Sequence, residues 1–140
     1  MKSAPTESEH SPVYLDSSAI LKLVFIEDET DALDTFLREW PRRTTSSLAR
    51  VEVMRMAMRV EDPAVTATAR DVLARIDMIA VDESTLFRAI AAEPRTLRSA
   101  DAIHLATATA LQPDLAGIVA YDKRLAAAAR SAGLRVWAPA

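Results

Sequence analysis

The segment "VYLDSSAI" (residues 13–20) sets three apolar residues in a row, stops them on an aspartate, and resumes with two serines and a second apolar run. A short apolar run that passes into a helical pattern reads as a buried strand feeding a helix. Asp16 then has two roles open to it. It can cap the helix that follows, or it can be an acid delivered to the end of a strand, where an open α/β sheet builds its site.

The alternation continues along the chain. Strand signals fall at 43–46, in "MIAVD" (78–82), in "GIVAYD" (117–122) and in "LRVWA" (134–138). Helical patterns fall at 17–26, 28–40, 48–60, 63–75, 83–92, 99–111 and 123–132, with Ser99 as a cap and Gly133 as a stop. Strands separated by helices predict a single α/β domain, a central parallel sheet of about five strands flanked by helices.

Composition narrows the chemistry. A chain of 140 residues, half of them hydrophobic and 26% charged, suits one globular domain. Its 2 glycines exclude glycine-rich phosphate loops and dinucleotide fingerprints. It has no cysteine, so disulfides, thiolate zinc sites and a Cys nucleophile are excluded. No apolar run approaches the roughly 20 residues that span a bilayer. Residues 1–12 have no apolar signal region and read as a disordered lead-in to a domain at 13–140, and a cytoplasmic location is expected. The net charge is -3, which argues against a generally basic nucleic-acid binder, although Arg supplies most of the 17 cations.

The acids give the sharper signal. Asp16 and Asp122 each end an expected strand, while Glu52 and Asp101 lie in the first turns of helices. If these helices start at the same sheet edge, four carboxylates converge. Close carboxylates repel and take up protons unless a cation relieves them. Mg²⁺ and Mn²⁺ prefer oxygen ligands, and such an ion can make a water acidic enough to attack phosphorus. The plain alternatives are caps at Asp16 and Asp122, a first-turn acid at Asp101, and a solvated Glu52 stripe with Arg55 and Arg59. His104 reads as a core or rim histidine. Ser17 and Ser18 have no histidine near them in sequence, which argues against a Ser–His–Asp triad. Asp16 has no second Asp two residues on, which argues against a haloacid-dehalogenase-type phosphatase. Trp40 and Trp137 read as packing residues.

Taken together, "VYLDSSAILKL", "SSLARVEVMRM", "LRSADAIHLATA" and "IVAYDKRLAAAARSAGLRV" resemble the PIN domain, and within it the VapC ribonuclease toxins of toxin–antitoxin pairs. The resemblance spans about residues 13–137. It implies a PIN-like parallel sheet, an acidic pocket that binds Mg²⁺ or Mn²⁺, and cleavage of single-stranded regions of RNA such as tRNA or rRNA loops, which would inhibit translation. It also implies a homodimer and a cognate, VapB-like antitoxin. Carried over by motif, the acids are Asp16, Glu52, Asp101 and Asp122, with Ser18 lining the pocket. Two positions depart from the family pattern: Ala120 replaces a Thr or Ser, and Lys123 replaces a further acid, so Asp122 is open to acting through water. Arg42, Arg43, Arg95 and Arg98 precede the segments that carry Glu52 and Asp101, and are candidate contacts to the RNA backbone. The apolar helices "AILKLVFI" and "VEVMRMAM" are candidates for the antitoxin groove and dimer face. The alternatives are a stand-alone PIN ribonuclease in RNA processing, a receiver-like domain and a non-catalytic binding module.

Overall fold

Val13, Tyr14 and Leu15 are wholly buried and form β1 (Val13–Leu15), the middle strand of the sheet. Their alternation sends Val13 and Leu15 into one core and Tyr14 into another, because successive side chains of a strand face opposite sides. The structure is a computed structural model describing residues 11–140. The expected lead-in therefore lies largely outside the described residues. Sheet pairing starts one residue before 13: the carbonyl of Pro12 accepts the N–H of Ala116 at 2.9 Å.

After β1 come α1 (Ser17–Val24), α2 (Thr30–Glu39), β2 (Arg43–Ser46), α3 (Leu48–Arg59), α4 (Pro63–Ala74), β3 (Asp77–Ile79), α5 (Glu83–Ile90), α6 (Ser99–Ala110), β4 (Gly117–Val119), α7 (Lys123–Ser131) and β5 (Val136–Trp137). The strands are all parallel, in the order β3-β2-β1-β4-β5. This is the α/β sheet that the sequence predicts. On one face, Val13, Leu15 and Val119 pack with Leu33, Leu37, Val53, Ala69 and Leu73. On the other, Tyr14 and Ile118 pack with Leu105, Ala108, Leu125 and Ala129. Strand order reverses between β1 and β4, so the carboxyl ends of these two strands flank the crevice in which such sheets bind ligands.

The predicted elements are present, with shorter ends. "GIVAYD" leaves the sheet after Val119 and "MIAVD" after Ile79, which frees Asp122 and Asp82 to cap the helices that follow. Ser99 is not the cap of α6. Arg98 holds that position in extended backbone without a side-chain cap bond, and Ser99 is the first helical residue. Gly133 has φ +89, a left-handed conformation suited to glycine, and follows α7 as expected. Trp40 and Trp137 pack with Phe36, the two indoles having centroids 5.2 Å apart.

Candidate active site

Asp16 follows β1 directly and caps α1, its Oδ1 accepting the N–H of Ala19 at 2.9 Å. The cap role is thus real, yet Asp16 is only 3% exposed. Burial pushes its pKa up to about 6, against the opposing pull of the Ser18 and Ala19 hydrogen bonds, and the nearby charge of Asp101 pushes the same way. A carboxylate this buried gains nothing as a cap that an exposed one would lack.

Both serines after it are tethers. Ser18 Oγ donates to Asp16 Oδ1 at 2.7 Å and accepts the N–H of Tyr121 at 3.2 Å. It ties the end of β1 to the segment leaving β4, across the switch point. Ser17 Oγ donates to Glu52 Oε1 at 2.6 Å, which ties α1 to α3. Glu52 Oε1 also takes a hydrogen bond from His104 Nε2 at 2.7 Å. Partial burial would raise the pKa of Glu52, but these two hydrogen bonds outweigh it and hold the carboxyl below its ordinary value. Glu52 is therefore fixed by two other helices and is no member of a solvated stripe.

Asp101 stands in the first turn of α6. Partial burial raises its pKa, and the charges of Asp122 and Glu52 add to the effect, against His104 and Arg98. Asp122 caps α7, its Oδ1 accepting the N–H of Leu125 at 2.9 Å. The four acids thus occupy the carboxyl edge around β1 and β4, where Asp101 feels the charges of Asp122 and Glu52 and Asp16 feels that of Asp101.

His104 is the residue that sequence reasoning undervalued. It is a buried core histidine, as expected, but it also bridges Tyr14 and Glu52. Its spacing of three from Asp101 on one helix was the available signal. Ser17 Oγ also lies 3.1 Å from His104 Nε2, although the two are far apart in sequence. This is not a nucleophile triad. Serine and carboxylate meet the same ring nitrogen, whereas a triad needs them on opposite nitrogens.

The donor set suits a hard divalent cation. It is all carboxylate oxygen, and two of its members have raised pKa values that a positive charge would relieve. Among the described residues, no group of three or more His, Asp or Glu side chains is gathered closely enough to hold a metal ion by itself. The carboxylate chemistry matches an ion such as Mg²⁺, which takes one or two carboxylates directly and reaches others through its retained waters. Asp16, Glu52 and Asp101 are the residues that would hold it, directly or through water, with Asp122 completing the acidic edge.

A family model for the PIN domain matches residues 13–131. The chain belongs to the PIN-domain family. Ribonuclease VapC46 of Mycobacterium tuberculosis is 46% identical to this PIN domain over 127 residues, covering 91% of the chain and 97% of that protein. Ribonuclease VapC47 of the same species is 38% identical over 131 residues, covering 91% and 96%. A chain of a solved toxin–antitoxin complex from Klebsiella pneumoniae shares the fold, with a TM-score of 0.71 at 22% identity, covering 91% of this chain and 98% of that one.

The PIN-domain topology separates the four candidate arginines. Arg42 and Arg43 stand at the start of β2, where Arg43 pairs with Val13, so they lie at the sheet edge opposite the acids. Arg43 is partly buried near Asp34 and Arg75. Their place just before the Glu52 segment in sequence is misleading, because β2 must be crossed before α3 begins. Arg98 occupies the N-terminal cap position of α6, within electrostatic reach of Asp101. Arg95 is exposed and paired with Glu93 at 3.4 Å. Among the described residues, no helix is long and apolar enough to cross a membrane.

Proposed function

We propose that this PIN domain is a metal-dependent endoribonuclease, the toxin of a toxin–antitoxin pair, which cuts structured cellular RNA such as tRNA or rRNA loops and so inhibits translation. The observation that carries the reading is a buried acid, Asp16, at the β1/β4 switch point, with three more carboxylates on the same edge. A bound Mg²⁺ or Mn²⁺ would neutralise these acids, hold the scissile phosphate and make a nearby water a stronger acid.

The chain's own residues divide the remaining work. Glu52, held low in pKa with Oε1 engaged twice, suits a fixed anionic ligand. Asp101, raised in pKa, suits acceptance of the proton that the attacking water loses. Ser18 keeps the two strand ends in register. Arg98 offers a positive charge beside the acids for an incoming phosphate.

An antitoxin of the VapB kind, and a second copy of the chain, would account for the exposed apolar side chains Ile26, just after α1, and Val51, Met58 and Val60, on α3 and at its end. This favours a toxin over a nuclease that works alone. The test is cleavage of total cellular RNA by purified antitoxin-free protein with Mg²⁺, Mn²⁺ or EDTA, beside Asp16→Asn. Discrete fragments that need the metal and vanish in the variant are expected. A folded wild type that leaves the RNA intact under either metal would refute the reading.

A further inference from the structure

Glu52 owes its orientation to residues distant in sequence. Its Oε1 takes hydrogen bonds from Ser17 Oγ and His104 Nε2, and among the described residues Oε2 takes none. His104 is 1% exposed, and its other nitrogen, Nδ1, lies 2.6 Å from Tyr14 Oη. Tyr14 is wholly buried, and its hydroxyl oxygen accepts the N–H of Ser46 at 3.1 Å. With that oxygen taking the Ser46 N–H, the phenol hydrogen is free to go to Nδ1. Nε2 faces a carboxylate oxygen that can only accept, so it carries a ring proton and donates it to Glu52. The chain of contacts runs from the β2 backbone through β1 and α6 to α3.

We propose that His104 is a positioning residue for Glu52. It locks Oε1 and leaves Oε2 as the oxygen that faces a metal ion, with Tyr14 setting the tautomer and tilt of the ring. A cation's carboxylate ligands are themselves held by outer hydrogen bonds, and loss of such a partner typically weakens metal binding by about 10- to 100-fold. This rests on the reading of Glu52 as a metal ligand.

The test measures Mn²⁺ binding to the full antitoxin-free chain by calorimetry, with circular dichroism to check folding. Two variants split the ring's two contacts. His104→Gln puts an amide N–H where Nε2 stands, so it reaches Glu52. His104→Asn puts its polar group where Nδ1 stands, so it can satisfy Tyr14 but falls short of Glu52. A positioning role predicts Mn²⁺ affinity within about threefold of wild type for Gln, and about tenfold or more weaker for Asn. A merely structural role predicts wild-type affinity in every variant that folds. Wild-type affinity in folded His104→Asn, or equal loss in both variants, overturns the proposal. If His104→Asn does not fold, Tyr14→Phe replaces it, and unchanged Mn²⁺ affinity there overturns the proposal. Absence of saturable Mn²⁺ binding in the wild type would instead remove the metal-site reading, and this inference with it.

Discussion

Ser18 Oγ lies 2.7 Å from Asp16 Oδ1 and takes the N–H of Tyr121 at 3.2 Å, so one hydroxyl joins the buried acid to the segment that leaves β4 on the far side of the crevice. Ser18→Ala removes the join without touching an acid. The expected result is RNA cleavage slower by about tenfold, since an outer partner of the proposed ligand Asp16 is lost, with a stability loss of only about 1 kcal/mol. Initial cleavage rates and thermal melts on the same preparations check both numbers.

Asp16 makes the metal-free protein sensitive to pH. Its folded pKa is raised to about 6, so the folded state holds this proton more tightly than the unfolded chain does. The resulting stability is fully present below the ordinary carboxylate pKa and is lost as pH rises through about 6. Above that the ionised buried acid costs about 1–3 kcal/mol. Asp16→Asn stays neutral and can still cap α1. In EDTA at pH 7.5 it should melt above the wild type, and the gap should close toward pH 4. A wild type that melts above the variant at neutral pH without metal would contradict this.

Asp122 caps α7, and two substitutions separate that cap from the role proposed for it in cleavage. Asp122→Asn keeps an oxygen for the Leu125 N–H and should preserve the melting temperature while lowering cleavage. Asp122→Ala should lower both, with a stability loss of about 1 kcal/mol. Cleavage unchanged in Asp122→Asn would leave this residue as a cap alone.

The arginines differ in their distance from the site. Arg98→Ala should weaken RNA binding and reduce the slope of log affinity against log salt by about 1. Arg43→Ala, at the opposite sheet edge, should leave that slope unchanged. Binding isotherms of an uncleaved RNA on Asp16→Asn protein, taken at several salt concentrations, make the comparison.

Gly117 is required by a neighbour. A Cβ there would stand 2.5 Å from Trp137 Cζ3 and 2.6 Å from the carbonyl oxygen of Arg135, the latter being backbone that cannot swing aside. Gly117→Ala should cost about 2 kcal/mol or more by overpacking and should blur β4, measurable as a lower denaturant midpoint.

The acids Asp16 and Asp122 were legible in the sequence because each directly follows a short apolar run, and the sheet topology makes those run ends one edge. Glu52 and Asp101 were legible only as members of a set. What ties Glu52 in place, Ser17 and His104, was not legible. These residues are 35 and 52 positions away, and nothing in local pattern marks a contact made by tertiary packing. Arg42 and Arg43 misled for the same reason in reverse. Closeness in sequence to Glu52 hides a strand's length between them, and a parallel strand carries its two ends to opposite edges.

The pairing of β1 with β4 joins Val13 to Gly117. During synthesis Asp16 leaves the ribosome before β4, so the crevice has only one wall until β4 has emerged, and Asp122 follows β4. Contacts this remote in sequence form late, after most of the chain is available. A chain that stops short of β4 therefore lacks a complete acidic edge, and the site comes into being only once β4 and Asp122 have joined it.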